Sequence, residues 1–283
     1  EEPDELVEEL ADAVLLRSIR AAYDGLIDYN DQLYMPGVFG GTFPQFPLTL
    51  IDEAQDLSPV NHALLHRLVG GIRRAIAVGD PNQSIYGFRG AKSEGMGALA
   101  QHYNMRPLDL TVSFRCPRAI VENARWRVPA FHWMKEGGHV ERLEQLEASN
   151  IPEQCTFLCR NNAPLFRLAM QLLSSGRSVQ VSGSDIGPKL IAIMRKLGSE
   201  DLRYDGVRVA IAEWEAERKA KGSTSAKDLA DCMRVFASHG ATLSLAIAYA
   251  EHLFKQTGSI KLSTGHKAKG LEWETVFVLD DWL

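Results

Sequence analysis

The chain has no long apolar run. Nowhere in its 283 residues does a stretch approach the roughly 20 apolar residues of a membrane span, so no membrane partner is expected. It also lacks an excess of positive charge. Its 31 Lys and Arg stand against 36 Asp and Glu, for a net charge of −5. Composition therefore does not announce a nucleic-acid binder, although an acidic protein can still line one groove with cations. Cysteine is scarce: Cys116, Cys155, Cys159 and Cys232 are all there is. They form no Cys-x-x-Cys pair, and no His sits at ligand spacing from Cys155 and Cys159. Reduced thiols in a cytoplasmic protein are the expectation, rather than a zinc site or a disulfide frame. Residues 1–9 are acidic and polar, unlike a secretory leader. Biased tracts and short-period repeats are absent. So is any Gly-x-x-x-x-Gly-Lys-Ser/Thr phosphate loop. The nearest stretch, Gly183 to Lys189, has the wrong spacing, no following Ser or Thr, and a proline that removes an amide donor; it reads as a turn into a helix.

What remains is a globular chain, 45% hydrophobic, long enough for one large or two ordinary domains. Helical spacing runs over residues 5–29 and breaks near Gly25, and a Gly- and Pro-rich loop follows from Met35 to Pro47. Leu48 to Ile51 reads as a buried strand ending in two acids. Residues 61–70 read as a helix, and Ala75 to Val78 as a second buried strand. Strand, helix, strand is the pattern of a doubly wound sheet, whose ligands sit at the carboxyl ends of its strands. Further on, Leu108–Val112 reads as a strand and Pro117–Ala124 as a helix. Residues 125–138, with Trp126 and Trp133, fit no element. Thr156–Cys159, Ala163–Ser174 and Ser178–Val181 repeat strand, helix, strand. Residues 186–255 are helical in character, and Ser259–Leu262 and Thr275–Leu279 are strands again.

Two segments carry chemistry. Asp52-Glu53-Ala54-Gln55-Asp56 leaves an apolar strand, and paired acids there suit a nucleotide hydrolase in which one holds Mg²⁺ and the other polarises water. A solvated turn is the plainer reading of an Asp-Glu pair taken alone. Val78 to Ala91 leaves the next strand and mixes an amide, Gln83, with Tyr86, Phe88 and Arg89. An amide can sense a terminal phosphate, and aromatics beside an Arg can stack on unpaired bases. A polar loop with two anchoring aromatics would look the same.

Together these segments resemble the Walker B and third motifs of the UvrD/Rep/PcrA-type superfamily 1 DNA helicases. Four more agree in order. Ile27 to Leu33 resembles the acidic stretch upstream of Walker B, and Leu110 to Pro117 the fourth motif. Leu158 to Asn162 resembles a strand-end segment of the second motor domain, and Thr264 to Trp273 the fifth motif. The resemblance implies ATP and Mg²⁺ as cofactors, with Asp52 on the metal, Glu53 as catalytic base and Gln55 beside the nucleotide. Gln83 would contact the γ-phosphate, Phe114 would stack on adenine, and Arg115 would act as an arginine finger. Gly270 and Glu272 would lie near the ribose. Tyr86, Phe88 and Arg89 would meet single-stranded DNA, or its junction with duplex, and Thr264 and His266 would touch the DNA backbone.

The fold implied is α/β: parts of two RecA-like doubly wound motor domains, the second interrupted by a helical insertion. Residues 1–108 would finish the first motor domain. Residues 109–185 and 256–283 would form the second, around an insertion at 186–255 in the place of the accessory 2B domain. Relative to the family, the phosphate loop would precede residue 1 and the sixth motif would follow Leu283. The expected activity is ATP-driven movement on single-stranded DNA, 3′ to 5′ as in relatives, with this piece inactive by itself. Two alternatives stay open: a non-catalytic nucleic-acid- or protein-binding module, and the helicase part of a helicase–nuclease complex.

Overall fold

The computed structural model describes residues 5–44, 46–69, 74–92, 94–182 and 186–279, without the side chains of Arg89 and Ala148. Residues 183–185, in the proline-bearing stretch noted above, lie outside the described set. The chain is α/β, and its paired strands run parallel. It forms two compact units, Glu1–Glu141 and Arg142–Leu283.

In the first unit, α1 (Glu5–Tyr23) buries none of its residues. It stops earlier than its apolar spacing suggests because Gly25 takes φ +89°. Gly25 N–H donates to the Ala22 carbonyl and Leu26 N–H to the Ala21 carbonyl, the paired bonds that close a helix on a left-handed glycine. The loop expected from Met35 is in part a helix, α2 (Asp31–Phe39), with Pro36 inside it. Its start is built by carboxylates. Asp28 accepts the N–H groups of Asn30 and Asp31, while buried Asp31 accepts from Ser18 Oγ at 2.9 Å and Asp28 N–H at 3.0 Å. At its other end Arg67 donates to the carbonyls of Gly37 and Val38. Short-range charge and a tertiary arginine thus outweigh the turn signals of Gly and Pro.

Strands β1 (Leu48–Ile51) and β2 (Arg74–Ala77) pair in register, Leu50 opposite Ile76. One face packs Ile51, with Ala75 and Ala77, against Leu65 and Val69 of α3 (Pro59–Val69) and Leu99 of α4 (Gly95–His102). The other face, Leu48, Leu50, Ile76 and Val78, is exposed. Beside α3 and α4 lie His62, His66, His102 and Tyr103. His66 Nδ1 is 2.6 Å from the Tyr103 hydroxyl, and the His66 and His102 rings are 4.0 Å apart. Burial, then the neighbouring His102 and His62, hold the His66 imidazole below its ordinary 6.5.

The strand expected at Leu108–Val112 lies later, as β3 (Val112–Pro117), followed by α5 (Arg118–Ala124) and β4 (His132–Lys135). Leu108 and Leu110 keep the apolar alternation but are exposed, because the ladder begins only where His132 N–H meets the Thr111 carbonyl and Val112 faces His132. In β4, the Trp133 ring carries Arg118 at 5.2 Å and Arg125 at 4.9 Å over it.

The second unit is a four-stranded parallel sheet in the order β6-β7-β5-β8: β5 (Cys155–Cys159), β6 (Val179–Val181), β7 (Ile260–Thr264) and β8 (Val276–Val278). Between β5 and β6 runs α6 (Asn162–Ser174), capped by Asp228, which accepts from the Asn162 N–H and side-chain amide. Between β6 and β7 come α7 (Ile186–Met194), α8 (Tyr204–Ala220), α9 (Ala226–Ala237) and α10 (Leu243–Lys255). Residues 186–255 are therefore helical, and they share one core with the sheet: Leu190, Met194, Ile211, Met233 and Leu253 belong with Phe157 and Leu262. At the centre, the ring of fully buried Phe166 lies 5.6 Å from Phe236 and 5.3 Å from Phe254.

Two outcomes follow. Phe166→Ala should cost about 3–5 kcal/mol, the usual loss for a fully buried phenylalanine. Urea unfolding monitored on the second unit measures it, and a loss below about 1 kcal/mol would deny Phe166 its central place in that core. His66 binds its proton less readily folded than unfolded. The unfolded chain therefore takes up more protons as pH falls, and stability drops as pH passes through about 6.5 and below. Thermal unfolding across that window should show the loss. His66→Asn, which keeps an acceptor near Tyr103, should flatten the slope; an unchanged slope would place the titrating group elsewhere.

Candidate nucleotide and DNA site

Parallel pairing brings the carboxyl ends of β1 and β2 side by side, so the loops that follow each strand grow from one edge. Backbone bonds continue past the strands. Val78 N–H donates to the Ile51 carbonyl at 2.8 Å, and Ala54 N–H returns to the Val78 carbonyl at 3.0 Å. Between them the chain turns sharply at Glu53, with φ 50° and ψ 40°. A non-glycine residue in that region costs on the order of 1–3 kcal/mol and is held there by its surroundings. Asp52 Oδ1 accepts the Glu53 N–H at 2.9 Å, and both carboxylates stay exposed.

The turn is tied down by Gln55, which is 1% exposed. Its Nε2 donates to Glu53 Oε2 at 2.5 Å, and its Oε1 accepts the Asp80 N–H at 3.0 Å. Its carbonyl accepts from Ser84 Oγ at 3.2 Å. Space for this amide comes from Gly79: a Cβ there would lie 2.4 Å from Gln55 Oε1 and 2.8 Å from Met96 Sδ. Asp80 then organises the second loop. Oδ1 accepts the Asn82 N–H at 2.9 Å, and Oδ2 accepts from Gln83 Nε2 at 2.8 Å. A continuous polar chain thus runs Glu53, Gln55, Asp80, Gln83. Three residues on, Tyr86 and Phe88 meet edge to face with ring centroids 6.0 Å apart, and Phe88 is 71% exposed.

Asp52, Glu53, Gln55, Gln83, Tyr86 and Phe88 therefore share one strand-end region of the first unit. Arg89 lies in the same turn, its side chain outside the described set. Phe114 and Arg115 are on β3, both exposed, Phe114 at 76%. The remaining candidates belong to the second unit. Thr264 ends β7 and is buried, while His266 Nδ1 is 3.2 Å from Arg160 Nη1. Gly270 turns with φ +81°, and Glu272 is exposed beyond it. Sequence reasoning passed over Asp80. An acid directly after a strand-end glycine was the available signal, but its work, holding Gln83 and donating its N–H to Gln55, is legible only in three dimensions. No cluster of three or more His, Cys, Asp or Glu able to cage a metal occurs among the described residues. Mg²⁺ is commonly held by one or two carboxylates with waters and substrate phosphates, and exposed Asp52 is suited to that.

Residues 35–104, which span this strand-end region, match the UvrD/REP helicase N-terminal domain. Over 273 residues the chain is 27% identical to F-box DNA helicase protein 1 of Schizosaccharomyces pombe, covering 86% of this chain and 30% of that protein. It is 32% identical over 150 residues to DNA helicase II of Escherichia coli, covering 47% of this chain and 21% of the relative. It is 26% identical over 159 residues to the ATP-dependent DNA helicase PcrA of Leuconostoc citreum, covering 53% and 21%. The chain thus spans less than a third of the length of each of these relatives. Over residues 35–104, which hold the strand-end acids and the aromatic loop, the chain is therefore similar to the UvrD/REP helicase N-terminal domain.

Proposed function

We propose that this chain supplies the hydrolytic strand ends and part of the DNA-contacting surface of an ATP-dependent DNA helicase or translocase that moves 3′ to 5′ on single-stranded DNA. The observation that carries this reading is the hydrogen-bonded chain from Glu53 through Gln55 and Asp80 to Gln83, leading to the exposed aromatic pair Tyr86 and Phe88. Hydrolysis and DNA contact then share one set of loops, which is what a motor needs.

In this reading Asp52 would hold Mg²⁺, which when bound would supply positive charge to the transferring phosphate. Glu53 takes the proton of the attacking water. Its backbone turns in the left-handed region, and the Gln55 amide fixes one oxygen of the carboxylate. Gln83 senses the γ-phosphate, and its bond to Asp80 is the one exchanged as that phosphate comes and goes. Arg115 supplies positive charge where it develops in the transition state, Phe114 offers a ring to adenine, and Gly270 and Glu272 lie toward the ribose. Tyr86 and Phe88 stack on successive bases without reading them, Arg89 meets the strand beside them, and Thr264 and His266 touch the DNA backbone. The phosphate-cradling loop is not among the sequence motifs of this chain, so the isolated chain is expected to be inactive.

The deciding experiment is ATP hydrolysis by the full-length protein, with and without single-stranded DNA. Wild type should turn over and be stimulated by DNA. Glu53→Gln should keep nucleotide affinity within a few-fold while turnover falls by about 10²-fold or more, since an amide cannot accept the proton. Near-normal turnover in that variant would remove Glu53 from the chemistry. Phe88→Ala should weaken single-stranded DNA binding by about 1–3 kcal/mol while leaving the melting temperature in place, because the ring stands exposed. The slope of log affinity against log salt should barely change, since a stacked ring neutralises no phosphate. Unaltered DNA affinity in a folded Phe88→Ala protein would reject the stacking role.

A further inference from the structure

We propose that Gln55 is the positioning residue that fixes the Glu53 carboxylate for water activation and carries its state to the DNA-facing loop. This rests on the reading of Glu53 as catalytic base. Gln55 is the buried member of the chain, with 1% of its surface exposed, whereas Asp52, Glu53 and Gln83 are exposed and Asp80 is half-buried. A buried amide without partners is costly, so its two bonds are held firmly.

Those bonds fix which way the amide faces. Glu53 Oε2, on an ionised carboxylate, only accepts, so it must meet the NH₂ group. The Asp80 N–H only donates, so it must meet the carbonyl oxygen. Flipping the amide would set oxygen against carboxylate and NH₂ against N–H, and both contacts would turn repulsive. Gly79 guards the same geometry, since a methyl group there would press on Oε1. One rigid planar group therefore joins the turn that holds the base to the loop that holds Gln83.

The consequence runs in both directions. When Gln83 leaves Asp80, that residue shifts, its N–H moves against Gln55 Oε1, and the amide transmits the movement to Glu53. DNA held at Tyr86 and Phe88 steadies the same loop and so steadies the base. Gln55 touches neither phosphate nor water in this account; it acts through Glu53.

Substitutions separate its two bonds. Gln55→Glu keeps an acceptor for the Asp80 N–H but faces Glu53 with a second carboxylate. The hold on Glu53 is lost while that on Asp80 stays, so turnover should fall roughly tenfold or more with the Michaelis constant for ATP within a few-fold. Gln55→Met removes both bonds at similar size. Turnover should fall at least as far, and DNA stimulation should shrink as well. One measurement on the chain itself needs no activity: the Asp80 amide should exchange faster in Gln55→Met while remaining protected in Gln55→Glu. If wild type hydrolyses ATP and Gln55→Glu turns over as wild type does, the role of Gln55 is refuted while the function stands. So is it if Gln55→Met turns over and responds to DNA as wild type does. A folded full-length wild type that hydrolyses no ATP would overturn the function, and this role with it.

Discussion

Parallel pairing of β1 with β2 is the constraint on which the site depends. An antiparallel pair would send its two following loops from opposite ends. The parallel pair sends them from one end, and the ladder extends through Val78 and Ala54 so that the two turns stay bonded after the strands stop. The acid pair, Gln55, Gln83 and the aromatic pair are all elaborations of that edge. The left-handed turn at Glu53 carries an exposed carboxylate, the absence of a side chain at Gly79 admits the Gln55 amide, and the Asp80 carboxylate shapes the next loop.

The second unit solves a different problem. Its sheet places β7 between β5 and β6, and because β7 runs parallel to β6 the chain must cross back over the sheet between them. The helices α7 to α10 make that crossover and pack their apolar faces into the core of the sheet. Apolar residues at helical spacing in α9, such as Leu229, Met233 and Phe236, therefore serve the sheet as much as one another. Phe157 stacked on Phe277 at 4.8 Å shows the same economy across β5 and β8.

Much of this was legible in the residues. Parallel strands announce themselves as short apolar runs, and β1, β2, β5 and β6 stand within a residue or so of where those runs lie, although β1 and β2, expected to be buried, leave Leu48, Leu50, Ile76 and Val78 exposed. Elements whose existence depends on distant partners were not legible. Helix α2 reads as a loop because its proline and glycines dominate locally, while the Asp28, Asp31 and Arg67 bonds that sustain it are invisible in sequence. Strand β3 was placed too early because alternation marks a face and cannot say where a neighbouring strand begins. In the site, acids and aromatics were readable as types. The order of bonding from Glu53 to Gln83 was not, since it depends on which way one buried amide faces.

The first unit covers only one face of its strand pair. Leu48, Leu50, Ile76 and Val78 are exposed, so burial insulates that ladder from one side alone, whereas the sheet of the second unit is packed within a broad core. Local opening follows the amount of apolar surface an element buries. On warming, the strand ends that carry Glu53 and Asp80 should therefore loosen while the helices around Phe166 are still intact. Exposure of the strand-end amides and loss of helical signal would then be separate events, the first at a temperature where most of the chain is still folded.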